Sequence, residues 1–168
     1  MTRKTRIRAA LVTAAAVVTA ATVTAGISVA TPDQKHAPAK PGKKQITALF
    51  DNWNAALQIG DPEKVADLYA KDAILLPTVS NNVRTDRAEI VDYFEHFLEN
   101  KPVGKKIETH VNVLDNNSAL DAGVYEFTLT DPKTGQKRVV EARYTYEYEK
   151  RNGKWLIVNH HSSVMPEG

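Results

Sequence analysis

The chain has 168 residues, of which 42% are apolar and 25% charged, and it contains no cysteine. This is the composition of an ordinary globular protein, and the missing cysteine excludes disulfide bonds, thiolate metal ligands, a cysteine nucleophile and a lipid-anchoring cysteine. Four of the 22 basic side chains lie in the first 30 positions, which hold no acid, so the remainder carries 18 basic and 20 acidic side chains, a net charge of −2. A near-neutral domain argues against a nucleic-acid partner bound through its phosphates.

The first 30 residues predict a secretory signal peptide. Basic residues among the first eight precede an uncharged run over 9–29, and Ser28 and Ala30 are the small residues that a signal peptidase requires. A membrane anchor is the alternative, because the run is long enough to span a bilayer. The run is only weakly hydrophobic, so we predict cleavage, no stable membrane anchor, and a secreted or extracytoplasmic bacterial protein (periplasm or cell envelope). Residues 31–44, with three prolines and four lysines, predict a flexible leader, and 45–166 a single domain.

Three helices are predicted in the first half of this domain. The first has an apolar stripe and ends at Gly60; its stripe consists of Ile46, Leu49, Phe50, Trp53 and Leu57. Asp61 and Pro62 predict the start of a second helix, whose buried face would include Val65, Leu68 and Tyr69. A short strand over 74–76 follows. Asp86, with Glu89 three residues later, predicts the capped start of the third helix.

The second half alternates with period two and predicts four strands, over 106–114, 119–130, 138–150 and 155–164. Asn152-Gly153 between the last two is a strong hairpin signal. Strands of this length twist too strongly to form a flat sheet. We therefore predict an α+β fold in which a cone-shaped, curled antiparallel sheet packs on three N-terminal helices.

This order of elements resembles the nuclear-transport-factor-2-like superfamily, which includes ketosteroid isomerase, scytalone dehydratase and SnoaL-like polyketide cyclases. The residues 151–163, followed by Met165-Pro166, contain G-K-W, V-x-H-H-S-S and M-P elements. They resemble the end of the association (hub) domain of calcium/calmodulin-dependent protein kinase II and are similar to its bacterial SgcJ/EcaC-type stand-alone relatives. These 168 residues contain no kinase domain, so the resemblance implies no kinase activity. In the hub domain, arginines line a pocket for small carboxylates; the resemblance places Tyr125, Tyr146 and Ser162 at those positions, which implies a neutral, aromatic pocket.

The register of the last hairpin predicts which side chains face this pocket. With Asn152-Gly153 at the tip, Tyr146 would face Asn159 and Tyr144 would face His161. The first face then consists of Tyr144, Tyr146, Tyr148, Trp155, Ile157, Asn159 and His161, and the second of Arg143, Thr145, Glu147, Val158, His160 and Ser162. The aromatic face has more area to bury, so we place it toward the helices. The predicted ligand-binding residues are Trp53, Tyr69, Tyr125, Tyr146, Asn159 and His161. Ser162 is left out because only a bulge would bring it to the same cavity.

Other interpretations of these residues stay open. The tyrosine stripe also fits a core and dimer interface, and His161 also fits a structural histidine. Metal binding is not predicted, because neighbouring residues such as His160 and His161 point to opposite faces of a strand. No cofactor is predicted, because the sequence has no Gly-rich dinucleotide loop. No catalytic residue is assigned: Asp51 and Asp72 fit solvent-facing or capping positions, and Asp121 fits an exposed sheet end.

The sequence thus predicts a secreted homodimer, or a higher ring, that binds a small hydrophobic or neutral ligand inside an aromatic cone. One alternative is a hydro-lyase, isomerase or cyclase using general acid–base chemistry, for which His161 and Tyr146 would form a weak pair. The other alternative is an oligomerisation module whose pocket is vestigial.

Overall fold

The computed structural model describes residues 39–166, so the predicted signal peptide and most of the predicted leader lie outside the described residues. The elements are α1 (Lys43–Ile59), α2 (Pro62–Ala66), β1 (Tyr69–Leu76), α3 (Arg87–Leu98), β2 (Val103–Val113), β3 (Ser118–Thr130), β4 (Lys137–Arg151) and β5 (Lys154–Val164). None of the helices in this part of the chain is long and apolar enough to cross a membrane.

The five strands form one curled, unclosed sheet in the order β1-β5-β4-β3-β2. Strands β2 to β5 make the predicted antiparallel meander, and β1 adds to it by pairing parallel with β5. The helices α1 and α3 pack against the sheet, α1 on β2 and β3 and α3 on β1. The predicted α+β fold is confirmed.

Strand β1 is longer than predicted, and Tyr69 belongs to it and not to the second helix. Helix α2 ends at Ala66, after a start at which the Asp61 carboxylate accepts the Glu63 N–H at 3.0 Å. Two residues later the Leu68 carbonyl accepts the Ile157 N–H at 2.9 Å. This pairing with β5 draws the chain into the sheet, so the helical assignment of Leu68 and Tyr69 was wrong.

The ends of the two long helices follow the predicted signals. Gly60, in the left-handed conformation at φ 78°, ends α1 and donates its N–H to the Leu57 carbonyl. At the start of α3 the Asp86 carboxylate accepts the Glu89 N–H at 2.9 Å. The Glu89 carboxylate in turn accepts the N–H of Thr85 at 2.7 Å, one residue before the position expected in a capping box.

Aromatic side chains from α1, α3, β3 and β4 fill the concave side of the sheet. Trp53 lies near their centre, with its ring 6.2 Å from that of Phe94 and 5.8 Å from that of Tyr146, both edge-on. Pairs of this geometry each add about 0.5–1.5 kcal/mol beyond the burial of their area. The concave side is therefore mostly solid core.

Register shifts interrupt the pairing of β1 with β5, of β2 with β3 and of β4 with β5. In β2, Ile107 has no partner on β3, because Lys106 faces Tyr125 and Glu108 faces Val124. The bulge presses the Glu108 carbonyl against Gly123, where a Cβ would lie 2.7 Å from the carbonyl carbon and closer still to the oxygen. Only glycine fits at this position of β3.

We therefore expect Gly123→Ala to destabilise the protein by about 3 kcal/mol or more, because the added methyl group meets backbone and not a movable side chain. Urea unfolding monitored by tryptophan fluorescence measures the loss. Gly42→Ala is the matched control, since nothing lies within 4 Å of a Cβ there. Equal stability of the two variants would contradict the close approach of β2 and β3.

Candidate functional site

A bulge in β5 decides which polar side chains enter the cone. Tyr148 faces Ile157 as predicted, but Glu147 then faces Asn159 and Tyr146 faces His160, which leaves Val158 without a partner. The predicted register is wrong from Asn159 onward. His160 and Ser162 are buried, only 3% and 8% exposed, whereas Asn159 faces Glu147 on the outer side and His161 is exposed.

Four of the six predicted ligand-binding residues come together inside the cone. Trp53, Tyr69, Tyr125 and Tyr146 are all buried there, and the structure does not bring Asn159 or His161 to them. His160, Ser162 and Thr78 also line this cavity, although they were not among the predicted ligand-binding residues. The parity of Ser162 was the available signal, because a bulge in β5 would bring it to the same cavity.

Hydrogen bonds link these side chains in a series. The Trp53 indole N–H donates to the Tyr69 hydroxyl at 3.1 Å, and the Tyr69 hydroxyl lies 2.9 Å from His160 Nδ1. An indole N–H can only donate, so the Tyr69 oxygen accepts it. The buried Tyr69 proton has no acceptor other than Nδ1 among the described residues, which favours the neutral His160 tautomer with its proton on Nε2.

The series continues from His160 to the mouth of the cone. Nε2 lies 3.5 Å from the Tyr125 hydroxyl, and that hydroxyl donates to Ser162 Oγ at 2.6 Å. The Ser162 hydroxyl is in turn hydrogen-bonded to the Thr78 hydroxyl, in the segment after β1. We call this series, from Trp53 through Tyr69, His160, Tyr125 and Ser162 to Thr78, the hydroxyl chain.

Every titratable group in the hydroxyl chain is neutral at pH 7. Burial lowers the pKa of His160 to about 3, and the neighbouring His161 adds to the effect. Burial raises the pKa values of Tyr69 and Tyr125 above their usual 10. Because a general acid or base works best with a pKa near the operating pH, these groups are suited to hydrogen bonding and poorly suited to proton transfer.

The free space beside the hydroxyl chain is small. The inner cavity has a volume of about 40 Å³, and its walls include Thr78, Tyr125, His160 and Ser162. This is room for water or a single small group, whereas sites for whole drug-sized ligands measure roughly 300–1,000 Å³. An open groove of about 410 Å³ adjoins it and shares three walls with it, Val79, Tyr93 and Phe97.

The rim of this groove is polar. It consists of Ser80, Arg84, Asp92, His96 and Asn100. Two of these residues belong to the Asn-containing segment 80–84. The Arg84 guanidinium is paired with Asp92 at 2.9 Å, so the rim carries no uncompensated arginine.

Asp121 was predicted to be exposed at the end of the sheet, and this was wrong. It is fully buried, in ion contact with Lys106, and it accepts the Tyr144 hydroxyl proton at 3.1 Å. Lys106 Nζ also lies over the Phe50 ring, 4.9 Å from its centroid. Asp51 and Asp72 are exposed as predicted, and Asp72 pairs with Arg151. Within residues 39–166 no group of three potential ligands is arranged to hold a metal ion.

The family model of the calcium/calmodulin dependent protein kinase II association domain matches residues 42–166. The chain belongs to this family. The three positions that the resemblance assigned to arginines, Tyr125, Tyr146 and Ser162, all lie buried in the cone of this association domain. No curated protein matches the sequence.

Solved structures agree with the family and the fold. A protein from Xanthomonas campestris, named as a calcium/calmodulin dependent protein kinase II association domain, is 61% identical over 78% of this chain and 93% of its own, with a TM-score of 0.75. The association domain of C. elegans CaMKII shares the fold at 16% identity over 73% of this chain and 95% of its own, with a TM-score of 0.60. A protein named as a scytalone dehydratase, from Novosphingobium aromaticivorans, shares it at 14% identity over 73% of this chain and 83% of its own, with a TM-score of 0.65.

The neutral state of His160 makes the stability of this association domain depend on pH. Above pH 6.5 the histidine is neutral in the folded and unfolded chain alike. Below pH 6.5 His160 becomes protonated in the unfolded chain, whereas in the folded chain its pKa of about 3 keeps it neutral. The free energy of unfolding should therefore fall by about 1.4 kcal/mol for each pH unit below 6.5 from this residue.

Urea unfolding at pH 7, 6, 5 and 4 tests this expectation. His160→Gln should remove that part of the slope, and the exposed neighbour variant His161→Gln should keep it. Parallel pH profiles for wild type and His160→Gln would show that His160 is not buried in its neutral form.

Proposed function

We propose that this chain is a secreted, self-associating domain that forms a homodimer through the outer face of its sheet and binds a small neutral ligand at the mouth of its cone. Membership of an association-domain family supports the self-association. The N-terminal pattern, with its small residues at Ser28 and Ala30, supports secretion.

The observation that carries the dimer is the outer face of the sheet, which no helix covers within the described residues. Its centre is a row across four strands, in which His110 faces Ala122, Ala122 faces Thr145 and Thr145 faces His161. Small side chains in the middle of such a row allow two sheets to approach closely. The same patch on two copies makes a closed, two-fold contact.

The edges of the sheet are less suited to assembly. The β2 edge carries Lys105 and the bulge at Ile107, two features that discourage pairing with another strand. At the other edge, Leu75 already exchanges backbone hydrogen bonds of 2.8 and 2.9 Å with Arg84. The face therefore offers the better surface for a second copy.

The neutral chemistry of the cone favours ligand binding over acid–base catalysis. The pair proposed from sequence, His161 with Tyr146, is split between the two sides of the sheet. His160 lies inside but has both ring nitrogens next to tyrosine hydroxyls. A pure oligomerisation module would have the same surface and a cavity that holds only water.

Secretion predicts a defined mature protein. Expressed with its own N-terminal segment in a bacterial host, the exported protein should have the mass of residues 31–168 and begin at Thr31. Ala30→Lys should block cleavage, because a signal peptidase requires a small residue there, and the uncleaved chain should stay with the membrane. An exported wild-type protein that still begins at Met1 would contradict the signal peptide and favour the anchor.

Sedimentation velocity of the mature protein should show a dimer, or a larger assembly built from dimers. Ala122→Lys places an unpaired charge at the centre of the outer face and should raise the dimer dissociation constant at least tenfold. Ala88→Lys, the same change at an exposed position of α3, should leave it unchanged. A wild-type monomer, or equal behaviour of the two variants, would contradict association through this face.

A further inference from the structure

The hydroxyl chain ends in a pair of hydroxyl groups, Ser162 and Thr78, that share one hydrogen bond. The Tyr125 hydroxyl donates to Ser162 Oγ at 2.6 Å, and either member of the pair can donate to the other. The pair has two hydroxyl protons, of which one lies in the shared bond and the other stays free to donate.

Thr78 is the last member of the hydroxyl chain and is followed by Val79, which is a wall of both the inner cavity and the groove. Among the described residues the Thr78 hydroxyl has no hydrogen-bond partner besides Ser162. Thr78 is partly buried and forms part of the wall of the inner cavity. The cone thus presents one neutral hydrogen-bond donor at its mouth, and an acceptor atom is the complementary group.

The two adjoining spaces set the shape of the molecule that carries this acceptor. The inner cavity, about 40 Å³, admits an oxygen and the atom that bears it, whereas the groove of about 410 Å³ admits a ring or short chain. Tyr93 and Phe97, stacked with their rings 5.6 Å apart, are walls common to both spaces. An apolar body therefore fits against these rings while its polar end points inward.

Charge decides between the possible acceptors. The inner cavity has no lysine or arginine among its described lining residues, so a carboxylate would lose its hydration without gaining a cation. An ammonium group would likewise find no carboxylate there. A carbonyl oxygen accepts from a hydroxyl without carrying a charge.

From these observations we propose that the mouth of the cone binds a neutral carbonyl compound, a ketone, aldehyde or amide with an apolar body, whose oxygen accepts the Thr78 hydroxyl proton. This inference rests on the ligand-binding role proposed above and narrows it to one chemical class and one donor. It is independent of the dimer.

Cyclohexanone is a suitable probe, titrated into the mature protein and followed by ¹H–¹⁵N NMR, with the carbonyl stretch of the bound ketone measured by infrared spectroscopy. Wild type should show saturable shifts at Val79, Tyr93 and Phe97 and a carbonyl band moved to lower frequency. Cyclohexanecarboxylate and cyclohexylamine, which are charged at pH 7, should cause no such shifts.

Substitutions at Thr78 identify the donor. Thr78→Val keeps the shape of the side chain but removes the hydroxyl, and should raise the dissociation constant about fivefold and abolish the band shift. Thr78→Ser should restore both. Thr47→Val, at a half-buried threonine of α1 that lines neither the inner cavity nor the groove, is the control and should bind as wild type does.

Three results would overturn the inference. If Thr78→Val binds cyclohexanone as tightly as wild type and with the same carbonyl band, Thr78 is not the donor, although the cone still binds a ligand. If the carboxylate binds as well as the ketone, the chemical class is wrong. If cyclohexanone leaves the spectra of the wild-type protein unchanged, the ligand-binding part of the proposed function fails with the inference, and the proposed association alone remains.

Discussion

The bulge at Val158 is the constraint on which the interior of this association domain depends. One extra residue in β5 shifts the pairing with β4, so that His160 and Ser162 meet the aromatic wall instead of Asn159 and His161. A buried polar group without a hydrogen-bond partner costs about 1–3 kcal/mol, so His160 and Ser162 need partners inside the cone. The hydroxyl groups of Tyr69, Tyr125 and Thr78 are those partners, and a hydroxyl group can both accept and donate.

The inner wall buries polar atoms in two further ways. Near α1 it holds a charged pair, Lys106 with Asp121, in which Lys106 lies over the Phe50 ring and Asp121 accepts a hydrogen bond from the Tyr144 hydroxyl. Removing one partner of such a pair leaves the other as an unpaired buried charge. Loss of either Lys106 or Asp121 should therefore cost more stability than the intact pair contributes. The hydroxyl oxygens of Tyr146 and Tyr148, in contrast, are buried without a hydrogen-bond partner among the described residues. These two rings are held by stacking, Tyr146 on His160 at 4.1 Å and Tyr148 on Tyr146 at 5.6 Å.

The sequence predicted those features that a few neighbouring residues determine. Gly60 ends α1, Asp86 caps α3, and Asn152-Gly153 forms the hairpin turn that pairs Tyr148 with Ile157. It failed where a distant strand decides: Leu68 leaves its predicted helix to pair with Ile157, and Val158 bulges although its side chain fits a regular strand. The burial of Asp121 depends on a lysine fifteen residues away across a hairpin. Alternating patterns fix the face of a strand only up to its first bulge, and everything beyond it changes sides.

Strand β4 links the two proposed surfaces. Its odd-numbered residue Thr145 lies in the outer row, while Tyr144 and Tyr146 on either side of it form the inner wall. A second copy packed on the outer face would therefore brace the same backbone that positions the aromatic rings, without contributing a residue to the cavity. Ligand selection would then depend on the hydroxyl chain alone, which begins at Trp53, a group that can donate but not accept. A cone whose mouth is lined by neutral hydroxyl groups favours a ligand that accepts a hydrogen bond and disfavours a charged one. No group of the hydroxyl chain titrates near pH 7, so this preference should not change around neutral pH.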